Sequence, residues 1–154
     1  MSRILFLHGL HGSPEGTKVK LLRKAGHEVV APSLPKDSIA AALEIALDAV
    51  RDCMPDVIVG SSRGGALALS IPDDIKVPMV LLAPAWVLYA PFPSLKPETI
   101  VIHSPDDEII PFSESQQLFE QHGLPSVNLL SVGTDHSLND SSAATVLLQS
   151  VSRF

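Results

Sequence analysis

Ser62 lies at the centre of Gly60-Ser61-Ser62-Arg63-Gly64, directly after the apolar run Val57-Ile58-Val59 and before Gly65-Ala66-Leu67-Ala68-Leu69. A serine on so abrupt a turn from strand to helix is held in strained backbone geometry. Only small residues two positions to either side avoid a clash there. The turn lifts the hydroxyl out at the carboxyl edge of a sheet and aims the backbone N–H of Arg63 at an oxyanion forming beside it. A serine hydroxyl is a weak nucleophile until a base takes its proton, so a histidine is required. Of six histidines, His136 in Gly133-Thr134-Asp135-His136-Ser137 follows the last apolar run and precedes the last helical segment. That places it on a loop at the same edge as Ser62. The base in turn needs a carboxylate to hold its tautomer. His103-Ser104-Pro105-Asp106-Asp107-Glu108 supplies three acids in a row on a loop between Ser62 and His136. Taken singly, each acid also reads as a solvated surface charge.

Other chemistries fit less well. The glycine-rich turn lacks the lysine of a phosphate-binding loop and the spacing of a dinucleotide-binding one. His8 and His11 have no Asp, Glu or Cys beside them, so no metal site and no cofactor is expected. His8 is read as packed beneath its glycine-rich loop and His11 as lining the cleft. His27 and His122, next to Gly26 and Gly123, are read as cations at helix ends, and His103 as structural packing. Arg63 is assigned a surface ion pair with Glu15 or an acid near Asp107, with contact to an anionic substrate as the alternative. Cys53 is the only cysteine, which rules out an intrachain disulfide. Net charge is −6 with no basic block, arguing against nucleic-acid or anionic-membrane partners. The amino-terminal apolar run is about four residues, short of the ~7–15 of a secretory signal core, and no run approaches the ~20 that span a bilayer. The cytoplasm is the expected location, and Asn139-Asp140-Ser141 is read as a chance glycosylation pattern.

These residues need a scaffold that brings distant loops to one edge. Six apolar runs are predicted to be strands: Arg3–His8, Glu28–Leu34, Asp56–Ser61, Val77–Pro84, Thr99–His103 and Val127–Val132. They are filled almost continuously with Ile, Val and Leu, as strands buried on both faces of a parallel sheet are. Helices are predicted from Thr17 to Ala25, from an Asp37 or Ser38 cap through Val50, from a Ser113 cap to Gly123, and from Asn139 onward. Alternating strands and helices imply a three-layer α/β sandwich with right-handed crossovers. With 154 residues, 45% of them hydrophobic, the chain suits one domain over residues 1–154. Pro91–Pro97 reads as a loop.

The acid loop resembles the His-Gly-x-x-Asp-x-x-Val-Pro segment of α/β-hydrolases, with Asp107 at the aspartate and Ile110-Pro111 at the terminal pair. Ser104 stands where that family has glycine. Leu5-Phe6-Leu7-His8-Gly9-Leu10 likewise resembles the family's strand and His-Gly loop, and the chain order Ser, acid, His is the family's order. The likeness runs from Ile4 to His136 and is closest to small bacterial esterases. It implies Ser62, Asp107 and His136 as catalytic residues, with Asp106 the second choice of acid. Leu10 and Arg63 N–H groups would form the oxyanion hole. It further implies an α/β-hydrolase fold reduced to about six mainly parallel strands, since the chain starts at the family's third strand. The short connection from Ala83 to Pro97 leaves no room for a lid, which suits small soluble esters. Trp86 and Tyr89 in that connection, with His11, are the expected pocket residues, and an apolar loop covering the core is the equal alternative for the connection. The implied activity is that of a serine carboxylesterase. Acyl transfer, thioester or peptide cleavage by the same residues, or a non-enzymatic binding role, are the alternatives.

Overall fold

The computed structural model describes residues Met1–Phe154. Six strands form one sheet: β1 (Arg3–Leu7), β2 (Glu28–Val30), β3 (Val57–Ser61), β4 (Met79–Leu82), β5 (Thr99–His103) and β6 (Leu129–Ser131). Their order is β2-β1-β3-β4-β5-β6, and every neighbouring pair is parallel. Five helices connect them, α1 (Thr17–Lys24), α2 (Ile39–Cys53), α3 (Arg63–Leu69), the single-turn α4 (Trp86–Tyr89) and α5 (Phe112–His122), and α6 (Ser141–Val151) follows β6. None is long and apolar enough to cross a membrane.

The unbroken apolar runs are explained by two separate cores. Leu5, Leu7, Ile58, Met79, Leu81 and Val101 face one side, against Ala42, Ala46 and Val50 of α2, α3, Trp86 and Leu118. Ile4, Phe6, Val57, Val59, Val80, Leu82, Ile100 and Ile102 face the other, against Val19 and Leu22 of α1 and Ala143, Leu147 and Val151 of α6. Successive strand residues point to opposite faces, so a strand covered on both sides must be apolar at every position. The three-layer sandwich is as expected.

Several boundaries differ. β5 has the expected bounds, while the other five strands are shorter than their apolar runs, because residues beyond the ladder turn away into loops or, at Ser126–Asn128, into a 3₁₀ turn. Ser38 caps α2 by accepting the Ala41 N–H. Ser113 is no cap: α5 begins at Phe112 after Pro111, whose ring presets the entry. Asp140 caps α6 through the Ala143 N–H.

The chain runs out from β1 to the edge strand β2, then returns to lay β3 on the other side of β1. Helix α1 therefore covers one face and α3 the other. The loops leaving the carboxyl ends of β1 and β3 splay apart, and a crevice opens between them. At the base of that crevice α3 crosses β1 at very close range. A Cβ on Gly64 would lie 1.9 Å from the Leu7 carbonyl oxygen, and one on Gly60 would lie 2.6 Å from that of Gly64. The obstacles are backbone atoms, which no rotamer change can clear. Gly64→Ala is expected to cost about 3 kcal/mol or more, measurable as a lowered denaturant midpoint. A midpoint within experimental error of the native protein would contradict the close approach.

Candidate active site

Ser62 sits between β3 and α3 with φ 55° and ψ −113°. This is a left-handed backbone region that non-glycine residues adopt only under constraint, at an order of 1–3 kcal/mol. The constraint is visible. Ser62 N–H donates to the Leu82 carbonyl at 2.8 Å, and its own carbonyl accepts from Gly65, Ala66 and Ala85 N–H groups at 3.0, 3.2 and 3.0 Å. Both sides of the peptide are pinned, and the side chain is directed into the crevice.

His136 reaches it from the loop after β6. Its Nε2 lies 3.0 Å from Ser62 Oγ and its Nδ1 lies 2.7 Å from Asp107 Oδ2. Because an ionised carboxylate only accepts, Nδ1 carries the proton and Nε2 is left to accept from the serine hydroxyl. The structure thus joins Ser62, His136 and Asp107 in one chain of hydrogen bonds. Asp106 is exposed and takes no part.

Asp107 has a fully buried side chain that is fully satisfied. Oδ1 accepts the Ile109 and Ile110 N–H groups, both at 2.8 Å. Oδ2 is shared between His136 and the buried His103, whose Nε2 stands 3.2 Å away. Burial pushes the carboxyl's pKa up, but the His136 bond and the Ile110 and Ile109 N–H groups outweigh it and hold Asp107 below its ordinary value. His103 Nε2 is also 2.9 Å from the Ile110 carbonyl, so it faces two acceptors and must carry the proton. Its Nδ1 then accepts the Ser115 hydroxyl at 2.6 Å. Burial lowers its pKa, against the pull of the Ile110 carbonyl and Asp107, and keeps the ring neutral. His103 is therefore packed as expected, but packed against the acid itself. Its position four residues before Asp107, at the end of a buried strand, was the available signal.

Ser104, the departure from the resembled pattern, has a structural part to play. Its Oγ donates to the Gly133 carbonyl at 2.9 Å and accepts the Asp106 N–H at 3.1 Å, tying the acid loop to the histidine loop. Within the histidine loop, Asp135 accepts the Ser137 hydroxyl and the Leu138 N–H.

A cavity of about 540 Å³ opens over Ser62, lined among others by Leu10, His11, Arg63, Leu88, Tyr89 and His136. The Leu10 N–H has no backbone acceptor. Arg63, as the first residue of α3, has no intrahelical acceptor for its own N–H. Gly9 lets the Leu10 loop come close, since a Cβ there would be 3.3 Å from the Ser61 carbonyl oxygen. His8 is buried under this loop, its Nδ1–H donating to the Gly9 carbonyl at 2.7 Å and its Nε2 accepting the Leu34 N–H at 3.1 Å.

Three expectations are corrected. Trp86 does not line the cavity: it is buried in the core, and its Nε1–H donates to the Glu114 carbonyl at 2.8 Å, anchoring α4 to α5. Arg63 is no surface ion pair. It is 2% exposed, its Nη2 donates to the Pro35 carbonyl at 2.9 Å, and Glu15 pairs with Arg23 instead. His27 is no helix-end cation, because its Nδ1 accepts the Ser2 N–H.

Six parallel strands in this order, with a strained serine after β3, an acid after β5 and a histidine after β6, constitute the α/β-hydrolase fold. Solved structures of that fold match nearly the whole chain. Alpha/beta hydrolase domain-containing protein 10 from mouse is 17% identical with a TM-score of 0.77, over 98% of this chain and 88% of that one. Est1E from Butyrivibrio proteoclasticus is 16% identical with a TM-score of 0.72, over 97% and 88%. MGS-MChE2, an alpha/beta hydrolase enzyme from the metagenome of lagoon sediments at Mar Chica, Morocco, is 16% identical with a TM-score of 0.75, over 99% and 91%. Residues 3–98 match the family described as uncharacterised protein family UPF0227, and the chain belongs to that family. The matched segment contains β1, the His-Gly loop and the Ser62 turn, whereas Asp107 and His136 lie beyond it.

The depressed His103 pKa has a consequence for stability. Below about pH 6.5 the unfolded histidine takes a proton that the folded one resists. Stability therefore falls as the pH drops below that value, until the folded-state pKa is passed. Thermal unfolding from pH 7 to pH 5 is expected to show a falling midpoint, with a shallower fall in His103→Asn. Equal slopes in the two proteins would contradict the assignment.

Proposed function

We propose that the protein is a serine hydrolase that cleaves small carboxylic esters through an acyl-enzyme on Ser62. The observation that carries this reading is the hydrogen-bonded chain from Ser62 Oγ through His136 to Asp107, opening on a cavity with the free Leu10 N–H at its rim. His136 Nε2 takes the hydroxyl proton as Ser62 Oγ attacks the ester carbonyl carbon. The resulting oxyanion is held by the Leu10 and Arg63 N–H groups. When the tetrahedral intermediate collapses, the bond to the alcohol oxygen breaks and His136 returns the proton to the leaving alcohol. A water molecule then repeats the sequence on the acyl-enzyme, with His136 as base, and frees the carboxylic acid and Ser62. Asp107 keeps the Nδ1 proton in place and offsets the positive charge on the ring during each transfer. Ester preference accords with an exposed cleft bordered by α4 alone between β4 and β5.

Ser62→Ala is expected to reduce turnover of p-nitrophenyl butyrate by about 10⁴-fold or more while leaving the circular dichroism spectrum unchanged. Undiminished turnover would refute the nucleophile. Asp107→Asn, which supplies a donor where the ring needs an acceptor, is expected to lower kcat by about 10⁴-fold. Asp106→Asn should remain close to the native protein, and a larger loss there would mean that the other carboxylate serves His136.

A further inference from the structure

Arg63 is a buried cation without a counter-ion. Arg3, Arg23 and Arg51 each meet a carboxylate at the surface, but the one arginine in the interior meets none. Its Nη2 is used by the Pro35 carbonyl, and the Tyr89 ring lies over the guanidinium with its centroid 5.8 Å from Cζ. Nη1 is buried and has no acceptor. A desolvated guanidinium nitrogen left unpaired is costly, and a carbonyl dipole and a ring face compensate it only in part.

The surroundings repeat the same sign. The formally charged side chains bordering the cavity are Lys18 and Arg63, and no Asp or Glu is among its lining residues. Lys18 donates to the Ser137 carbonyl and to Asn139 Oδ1. Burial pushes its pKa down, while the nearby Asp135, outside the lining, pulls it up. Asp107 is the nearest carboxylate, but it stands behind His136 with its oxygens occupied, so in a chain of net charge −6 the cavity wall itself carries formal charge of positive sign alone. Low-dielectric walls concentrate such a field and attract anions. Apolar side chains share the lining, among them Phe6, Ala85, Leu88, Ile109 and Ile110, beside polar ones such as His11, Ser13 and Thr17.

We propose that the ester substrate carries a free carboxylate on its acyl chain, and that this group takes the unpaired Nη1 donors of Arg63 when the Tyr89 ring turns aside. This inference rests on the hydrolase reading above. Arg63 then has two separate parts: its backbone N–H meets the oxyanion, and its side chain selects the substrate. A planar guanidinium with one nitrogen already tied up suits a carboxylate, which needs one or two co-planar donors. Leu88 and Tyr89 sit on a four-residue helix, which has few backbone bonds to break if the cover shifts.

The test compares p-nitrophenyl hexanoate with the p-nitrophenyl half-ester of adipic acid, which adds only a terminal carboxylate. Spontaneous hydrolysis is subtracted with the Ser62→Ala protein. The native enzyme is expected to favour the charged ester by about tenfold or more in kcat/KM. Arg63→Gln is expected to bring the ratio near one, chiefly through KM, with Arg63→Lys in between. A native ratio near one, or a ratio unchanged in Arg63→Gln, overturns the proposal while leaving ester hydrolysis intact. If Arg63→Gln does not fold, the Ser62→Ala protein supplies the second measurement. Adipate should raise its melting temperature in a salt-sensitive way, and adipamide should not. Equal effects of the two overturn the anion site. Stabilisation by adipate with neither ester turned over would keep the anion site and refute the hydrolase reading instead.

Discussion

The close crossing of α3 over β1 is the contact on which the functional edge of this molecule depends. Gly64 rests against the Leu7 carbonyl at a distance that admits no side chain, and Gly60 rests against Gly64. This crossing forces the chain to reverse within one residue, and that residue is Ser62 with its positive φ. The strain is local and is offset by four backbone hydrogen bonds that the same reversal makes possible. Because α3 lies so near β1, the loop after β1 comes within reach of the serine, and its free Leu10 N–H with it. A looser crossing would leave the hydroxyl, the loop and the helix start too far apart to act on one atom.

Asp107 is the second fixed point. A buried carboxylate is tolerable only when its lone pairs are occupied, and here four N–H groups occupy them, two from the backbone and two from imidazoles. The loop thereby wraps around its own acid, while Ser104 ties it to the loop that carries His136. His103 completes the arrangement from below. Its neutral ring gives Asp107 a donor without setting a full charge beside it. His136 is positioned by a network extending over β5, α5 and two loops.

Much of this was legible in the residue order. Strands filled on both faces announced a covered parallel sheet, and small residues around Ser62 announced the sharp turn. Serine, acid and histidine after the third, fifth and sixth strands had to share an edge, because parallel strands deliver all their carboxyl ends to one side. The resemblance to α/β-hydrolases then singled out Asp107 from its neighbours. Boundaries were less legible, since a strand ends where its neighbour stops pairing and not where its apolar run stops.

What remained hidden were properties of pairs of residues far apart in the chain. The types and spacing around Ser62 are local, and local sterics read directly from sequence. Whether a polar side chain is buried, and what it meets there, is settled by which surfaces the folded chain brings together. So Trp86 went to the core by finding the Glu114 carbonyl, and His103 became a partner of the acid because α5 packs beside it. Arg63 shows the difference most plainly. By sequence it is a charged residue beside Ser62, and charged residues are ordinarily solvated. Only the packing of α3, Pro35 and Tyr89 around it withdraws it from water and leaves one of its nitrogens without a partner. The sequence by itself determined the sheet, the turn and the order of Ser62, Asp107 and His136 along one edge, through steric and apolar patterning. The tertiary structure decided burial, pairing and charge at the site, because these depend on contacts between segments that no local pattern records.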